Sequence, residues 1–277
     1  MRRNVVHYVH IMLSAAVMLL ISSCATLSGN GVGRVKRYTV ESKRVPRGFD
    51  GFKVAFISDL HYPSLFTEKR LGKVVACLDR EEPDILLLGG DYVTDNDSID
   101  ALFGALRGVK AEFGTCAVMG NHERGNRERV VAAMQREGVV LLDDASMELV
   151  KGNESMFVVG VDDSFCYDSL ALSPAGKVDS EAFVILLAHT PDYAELSSTT
   201  ADLVLSGHTH GGQVSLFGVY TPVRNSRYGT RFLRGRNRTS SGSTVITTNG
   251  VGTSRRKIRF CVPSEIVIVT LKSSPRE

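Results

Sequence analysis

Five apolar, strand-like runs in this chain each end on a residue that can bind a metal. Val54-Ala55-Phe56-Ile57-Ser58 leads into Asp59-Leu60-His61, and Ile85-Leu86-Leu87-Leu88-Gly89-Gly90 leads into Asp91. Cys116-Ala117-Val118-Met119-Gly120 leads into Asn121-His122, and Val184-Ile185-Leu186-Leu187-Ala188 into His189. The fifth run, Leu203-Val204-Leu205-Ser206-Gly207, leads into His208-Thr209-His210. Of the seven histidines, His7 and His10 lie near the N-terminus and the other five fall in these endings. Short continuous apolar runs suit strands buried on both faces. Side chains at the ends of neighbouring buried strands converge where open α/β sheets place their chemistry. The pattern predicts an α/β body with a metal site at its strand ends.

Asp59 and His61 stand two residues apart, as do His208 and His210, so on extended backbone each pair presents both side chains on one side. Glycines at 89, 90, 120, 207, 211 and 212 let the chain turn and approach closely there. Carboxylate, carboxamide and imidazole without thiolate suit Mn, Fe, Zn or Co. The five cysteines include no C-x-x-C pair, which excludes zinc-finger and thioredoxin chemistry. Cys116, inside an apolar run, reads as core packing.

With 277 residues, 43% hydrophobic and 23% charged, the chain has material for one large domain. A net charge of +3 identifies no partner, but its distribution is uneven. Six arginines and no acidic residue lie between Arg224 and Arg238, followed by Arg255, Arg256, Lys257 and Arg259. These read either as solvated basic loops or as grips for an anionic substrate or membrane.

At the N-terminus, Arg2-Arg3 precede the apolar stretch Ile11 to Ile21, and Ile21-Ser22-Ser23-Cys24 follows. This reads as a secretory signal with a lipobox-like end in which Cys24 would carry the lipid anchor. An uncleaved helical anchor is the alternative. Residues 1–27 are therefore assigned to a leader or anchor, 28–50 to a tether and polar outer strand (34–46), and 51–277 to the catalytic body. Apolar spacing predicts helices over 68–80, 100–109 and 127–137, the last stopped by Gly138. Strands are expected at 139–142, 147–150, 156–161, 184–188, 203–206, 244–248 and 266–271. An α/β first half and a β-rich second half predict two face-to-face mixed sheets flanked by helices, a four-layer αββα sandwich.

The ordered set Asp59-x-His61, Gly90-Asp91, Gly120-Asn121-His122-Glu123, His189 and Gly207-His208-x-His210 resembles the calcineurin-like metallophosphoesterase superfamily. Gly207-His208-Thr209-His210-Gly211-Gly212-Gln213 is more selective, as is Gly250-Val251-Gly252-Thr253-Ser254 with Arg259-Phe260 and Pro263-Ser264-Glu265-Ile266. These strings are similar to a subgroup of membrane-associated bacterial phosphodiesterases that includes UDP-2,3-diacylglucosamine hydrolases of lipid A synthesis. The resemblance implies two divalent transition-metal ions, Mn first, with Zn, Fe or Co as alternatives. One ion would be held by Asp59, His61 and His210, the other by Asn121, His189 and His208, with Asp91 bridging. His122 would face the substrate, since Asn121 points the other way on extended backbone. Many members place a second Asp three residues after the bridging one to orient this histidine. Here Thr94 stands there, Asp95 follows, and either is a candidate support. Asp162 and Asp163 read as a solvated turn or as supporting groups.

The implied reaction is hydrolysis of a phosphodiester or pyrophosphate bond by metal-activated water, in a lipid-linked or nucleotide-linked substrate. Arg255, Arg256 and Lys257 are candidate substrate contacts at a membrane surface. Small soluble phosphoesters or nucleotides are the alternative substrate, and a non-enzymatic module that keeps only the fold is the third reading. A monomer with no nucleic-acid partner is expected, held at a bacterial membrane by its N-terminus, on either face.

Overall fold

Both faces of the central strands are apolar, and both are covered. In β3 (Lys53–Ile57), Val54 and Phe56 enter one core while Ala55 and Ile57 enter another, all fully buried. Such a strand needs a layer on each side. The computed structural model describes residues 7–8, 10–14, 25–26, 31–63, 66–162, 178–196, 201–216 and 220–275. Cys24 and Asp163 lie outside these described residues.

Two six-stranded mixed sheets supply the layers. The first joins β2 (Arg34–Ser42), β14 (Glu265–Ser273), β3, β4 (Ile85–Leu88), β5 (Thr115–Ala117) and β6 (Val139–Leu141) in that order. Strands β3 to β6 run parallel, and β14 is antiparallel to β3 and parallel to β2. The second joins β11 (Gly235–Arg238), β12 (Thr244–Thr247), β10 (Leu203–Ser206), β9 (Val184–Leu187), β8 (Glu154–Gly160) and β7 (Ala145–Lys151). Its four inner strands are parallel and its two edge strands antiparallel. Phe56, Leu87 and Val267 of the first sheet meet Val158, Leu187 and Leu205 of the second in the central core.

Helices α1 (Glu68–Arg80), α2 (Ile99–Leu106) and α3 (Arg127–Arg136) cover the outer face of the first sheet through Leu71, Val74, Leu78, Leu102, Phe103 and Met134. The Thr67 side chain caps α1 by accepting from Arg70 N at 3.3 Å. Gly138, at φ 74°, turns the chain beyond α3 where the stop was expected. Helix α2 is shorter than its spacing suggested: it ends at Leu106, Gly108 follows, and a 3₁₀ turn over Asn96–Ser98 leads into it. Over the outer face of the second sheet, the described residues place Ala194, from the short helix Tyr193–Leu196, and Phe232.

Two residues of the segment assigned to the leader touch the body. Ala25–Thr26 (β1) pairs antiparallel with Arg259–Phe260 (β13). Among the described residues no helix is long and apolar enough to cross a membrane.

Candidate metal centre

The parallel strands β3, β4, β9 and β10 release their chains at one edge of the sandwich, and the donor side chains meet there. Asp59, His61, Asp91, His189, His208 and His210 are all buried. The pairs do not converge on extended backbone as expected. Asp59 (φ 54°), His61 (φ 45°), Asp91 (φ 56°), His208 (φ 64°) and His210 (φ 52°) all occupy the left-handed region. Five of the eleven non-glycine residues with positive φ among the described residues are therefore these donors. Backbone strain of about 1–3 kcal/mol per residue collects at functional sites when packing over-determines it. Asp59 shows how: its two carboxylate oxygens accept the His208 backbone N–H at 3.0 Å, tying the first sheet to the second. A Cβ at Gly207 would land on Ser58 Oγ and Asp59 Oδ2, so this approach requires glycine.

Two groups of donors form, and Asp91 belongs to both. Asp59, His61, Asp91 and His210 bring ligand atoms within 4.8 Å of one another, as do Asp91, His189 and His208. In the first group His61 Nε2 lies 3.1 Å from His210 Nε2 and 3.5 Å from Asp91 Oδ2, while His210 Nε2 lies 3.4 Å from Asp59 Oδ1. In the second, His189 Nε2 lies 3.4 Å from Asp91 Oδ2, 3.2 Å from His208 Nδ1 and 3.3 Å from Asn121 Oδ1. Donors bound about 2.0–2.2 Å from one ion stand about 3.0–3.5 Å apart, so this spacing fits coordination. His189 Nδ1 faces the Gly89 carbonyl at 2.7 Å, which as an N–H donor leaves Nε2 for the cluster.

Burial sets the charges. It pulls His61 down to about 4 and His208 to about 3, and holds His210 well below the usual imidazole range, the neutral state that a metal ligand needs. Burial also pushes the Asp59 carboxyl up to about 6. Asp91 goes the other way: burial alone would raise it, but His189, His61 and His122 outweigh that and hold it below the usual carboxylate range. His189 gains reciprocally, since its Asp91 partner overrides burial and pushes it up to about 10.

Asn121 and His122 open a 3₁₀ turn (Asn121–Gly125) and not an extended segment, which corrects the reason given for their opposed directions. His122 sits at the mouth with its side chain 43% exposed and Nε2 4.0 Å from Asp91 Oδ2, and its N–H donates to Asp91 Oδ1 at 3.0 Å. Neither expected support reaches it. Thr94 Oγ1 donates to the Tyr62 carbonyl, and Asp95 caps the following turn by accepting from Ser98 N. Asp162 pairs with Arg127 at 2.7 Å on the surface, as a turn residue would.

Glu123 and Gln213 had no assigned role and have one here, and Arg259, grouped with the basic loop as a solvated cation or an anion grip, is instead a buried structural group. The buried Glu123 carboxylate accepts from Asp91 N and Tyr92 N at 2.8 Å and Gly120 N at 2.9 Å, clamping the two ligand loops together. Buried Arg259 donates to the carbonyls of Asn249, Gly250, Gly252, Val262 and His210. Gln213 holds the basic loop, donating to the Ser254 and Arg256 carbonyls and accepting from Ser254 N. Arg255, Arg256 and Lys257 are exposed on that loop. The longer arginine run is divided: Arg234 reaches the Gly211 carbonyl beside the site, but Arg231 pairs with Glu195 and Arg236 reaches Thr39 O on the edge strand β2.

A sandwich of two mixed sheets with a histidine–carboxylate cluster at one edge suits a metal-dependent hydrolase, and its family and relatives make the chain a phosphoester hydrolase. Residues 52–212 match the family model described as calcineurin-like phosphoesterase, and the chain belongs to that family. It is 32% identical to the metallophosphoesterase YkuE of Bacillus subtilis over 86% of this chain and 85% of that one. It is also 32% identical to the phosphodiesterase YaeI of Escherichia coli over 64% of this chain and 68% of that one. Among solved structures, the sulfate thiohydrolase SoxB of Thermus thermophilus superposes with a TM-score of 0.50 at 15% identity, covering 83% of this chain and 58% of that chain. That likeness concerns the fold alone.

Proposed function

We propose that the chain is a two-metal phosphodiesterase or pyrophosphatase whose substrate is a lipid-linked or nucleotide-linked phosphate, in the manner of UDP-2,3-diacylglucosamine hydrolases. The observation that carries this reading is the pair of donor groups sharing Asp91. Asp59, His61 and His210 would hold one divalent ion, Asn121, His189 and His208 the other, and Asp91 would bridge them. The donor set lacks thiolate, which suits Mn first and Zn, Fe or Co after it. When bound, such a pair acidifies water and neutralises the charge of phosphoryl oxygens during in-line displacement.

The chain's own groups do the rest. Asp91, held below the usual carboxylate range, keeps the negative charge that sets two cations side by side. His122, exposed at the mouth, is the group that would meet the substrate, stabilising developing charge or protonating the leaving oxygen. Arg255, Arg256 and Lys257 would contact its anionic head group. Cys24 as a lipid anchor, or an uncleaved apolar segment, would hold the body at the membrane. Relatedness to a phosphodiesterase supports the diester class.

The test uses the full chain, stripped with a chelator and reloaded with Mn or Zn. It should hydrolyse bis-p-nitrophenyl phosphate only when reloaded, and a lipid-linked pyrophosphate with higher kcat/KM. Activity that survives stripping would overturn the metal assignment. A preference for the small diester would overturn the substrate.

A further inference from the structure

Of the seven large apolar side chains exposed on the body among the described residues, four gather on one surface. Leu216, Tyr220, Val223 and Ile258 are between 37% and 55% exposed and lie on two loops that are tied into one surface. Gln213 joins the loops through both ends of its amide, Phe260 N donates to Gln213 O at 3.0 Å, and Ser215 N donates to Phe260 O at 2.9 Å. Gln213 is three residues beyond His210, so this surface forms the rim of the metal cluster. The same loops carry Arg255, Arg256 and Lys257, exposed and without a carboxylate partner among the described residues.

We propose that this rim is a docking surface for an anionic lipid bilayer, which aims the metal cluster at the membrane. A solvated loop needs cations but no exposed Ile and Tyr beside them. Apolar side chains that enter the head-group boundary next to Arg and Lys that meet lipid phosphates are the composition of an interfacial surface. A second, independent observation points the same way. The β1–β13 pairing sets Ala25 opposite Phe260 and Thr26 opposite Arg259, so the chain leading to Cys24 and the apolar run of residues 11–21 meets the body at this rim. Whatever holds that segment in a bilayer holds this face against it. The inference rests on the membrane tether in the reading above, and it adds which face is presented and what it recognises.

The chain contains no tryptophan, so a single introduced indole reports its own surroundings. Two full-length proteins are compared on vesicles of phosphatidylcholine with phosphatidylglycerol, with and without brominated acyl chains. One carries Ile258→Trp. The other carries Val150→Trp, exposed where β7 pairs with the start of β8, at the end of the sandwich away from the cluster. The indole at 258 should shift to the blue and lose roughly half its emission to the bromines, as expected for residues about 5–10 Å into the interface. The indole at 150 should do neither, though both proteins sediment with the vesicles. Adding Arg255→Glu and Arg256→Glu to the 258 reporter should remove most of the quenching. Equal quenching at both positions, or none at 258 in sedimented protein, would overturn the proposal and leave the tether and the phosphoesterase reading intact. Quenching at 258 that ignores the charge reversal would overturn the anionic recognition. Protein that stays in solution would sink the tether itself, while bis-p-nitrophenyl phosphate hydrolysis, measured separately, judges the enzyme. Quenching at 258 that vanishes only when a second protein is added would assign the face to a protein partner.

Discussion

At the scale of single residues, the site is a set of donors held in conformations they would not choose. Asp59, His61, Asp91, His208 and His210 each sit at positive φ, and neighbours such as Glu123 and the His208 N–H enforce it. Asp91 and His122 separate the two jobs of this cluster. Asp91→Asn should lower kcat by orders of magnitude and reduce bound metal below two ions per chain, because the bridging charge is lost. His122→Ala should lower kcat with metal content unchanged, since no ligand group includes it. Metal analysis beside steady-state kinetics checks both, and loss of metal in His122→Ala would reverse the roles. That these side chains would gather at one place was legible because a strand-like run ending on His or Asp displays its chemistry in the side chain. The left-handed backbone was not legible, because packing between two sheets imposes it and no local propensity does. For the same reason the roles of Glu123, Gln213 and Arg259 stayed hidden: each acts on backbone groups brought near only by the fold.

At the scale of elements, parallel strands aim and loops hold. The cluster forms because β3, β4, β9 and β10 end at one edge, and their apolar runs foretold this. From 139 onward the observed bounds of the expected strands lie within two residues of those expectations, since edge strands such as β7 gain length by pairing and not by composition, whereas the outer strand expected over 34–46 ends at Ser42, before Pro46. Holding the loops falls largely to Arg259, whose burial pulls its guanidinium down to about 10, still a cation at neutral pH. Its donors satisfy carbonyls from Asn249 to Val262 and that of His210. Arg259→Ala would leave several buried carbonyls unpaired, at about 1–3 kcal/mol each. The melting temperature should fall by roughly 6–12 °C, taking about 3 kcal/mol as the total loss. Thermal denaturation of the metal-loaded protein reads this, and an unchanged melting point would contradict the strap.

At the scale of the molecule, the centre lies between two sheets that bury like charges against each other, so metal and fold stability are linked. In protein stripped by a chelator, Glu123 titrates near about 7 through burial and Asp91, Asp59 near about 6 through burial, and His189 near about 10, where Asp91 outweighs burial. All three values lie above the unfolded ones, so each group contributes stability at low pH that is lost as pH rises through the folded value. His61 and His208 are depressed to about 4 and 3, so their effect is complete above the unfolded histidine value near pH 6.5. Stripped protein should therefore lose stability from about pH 6.5 up to about pH 10, and reloaded protein should lose much less because cations offset the carboxylates. Parallel pH–melting curves test the sign. The central claim is that both sheets together build one two-metal centre around Asp91. Anomalous diffraction from crystals grown with Mn tests it most directly. It should give two peaks about 3.5–4 Å apart on either side of the Asp91 carboxylate, one among Asp59, His61 and His210, the other among Asn121, His189 and His208. One peak alone, or two peaks that do not share Asp91, would contradict it.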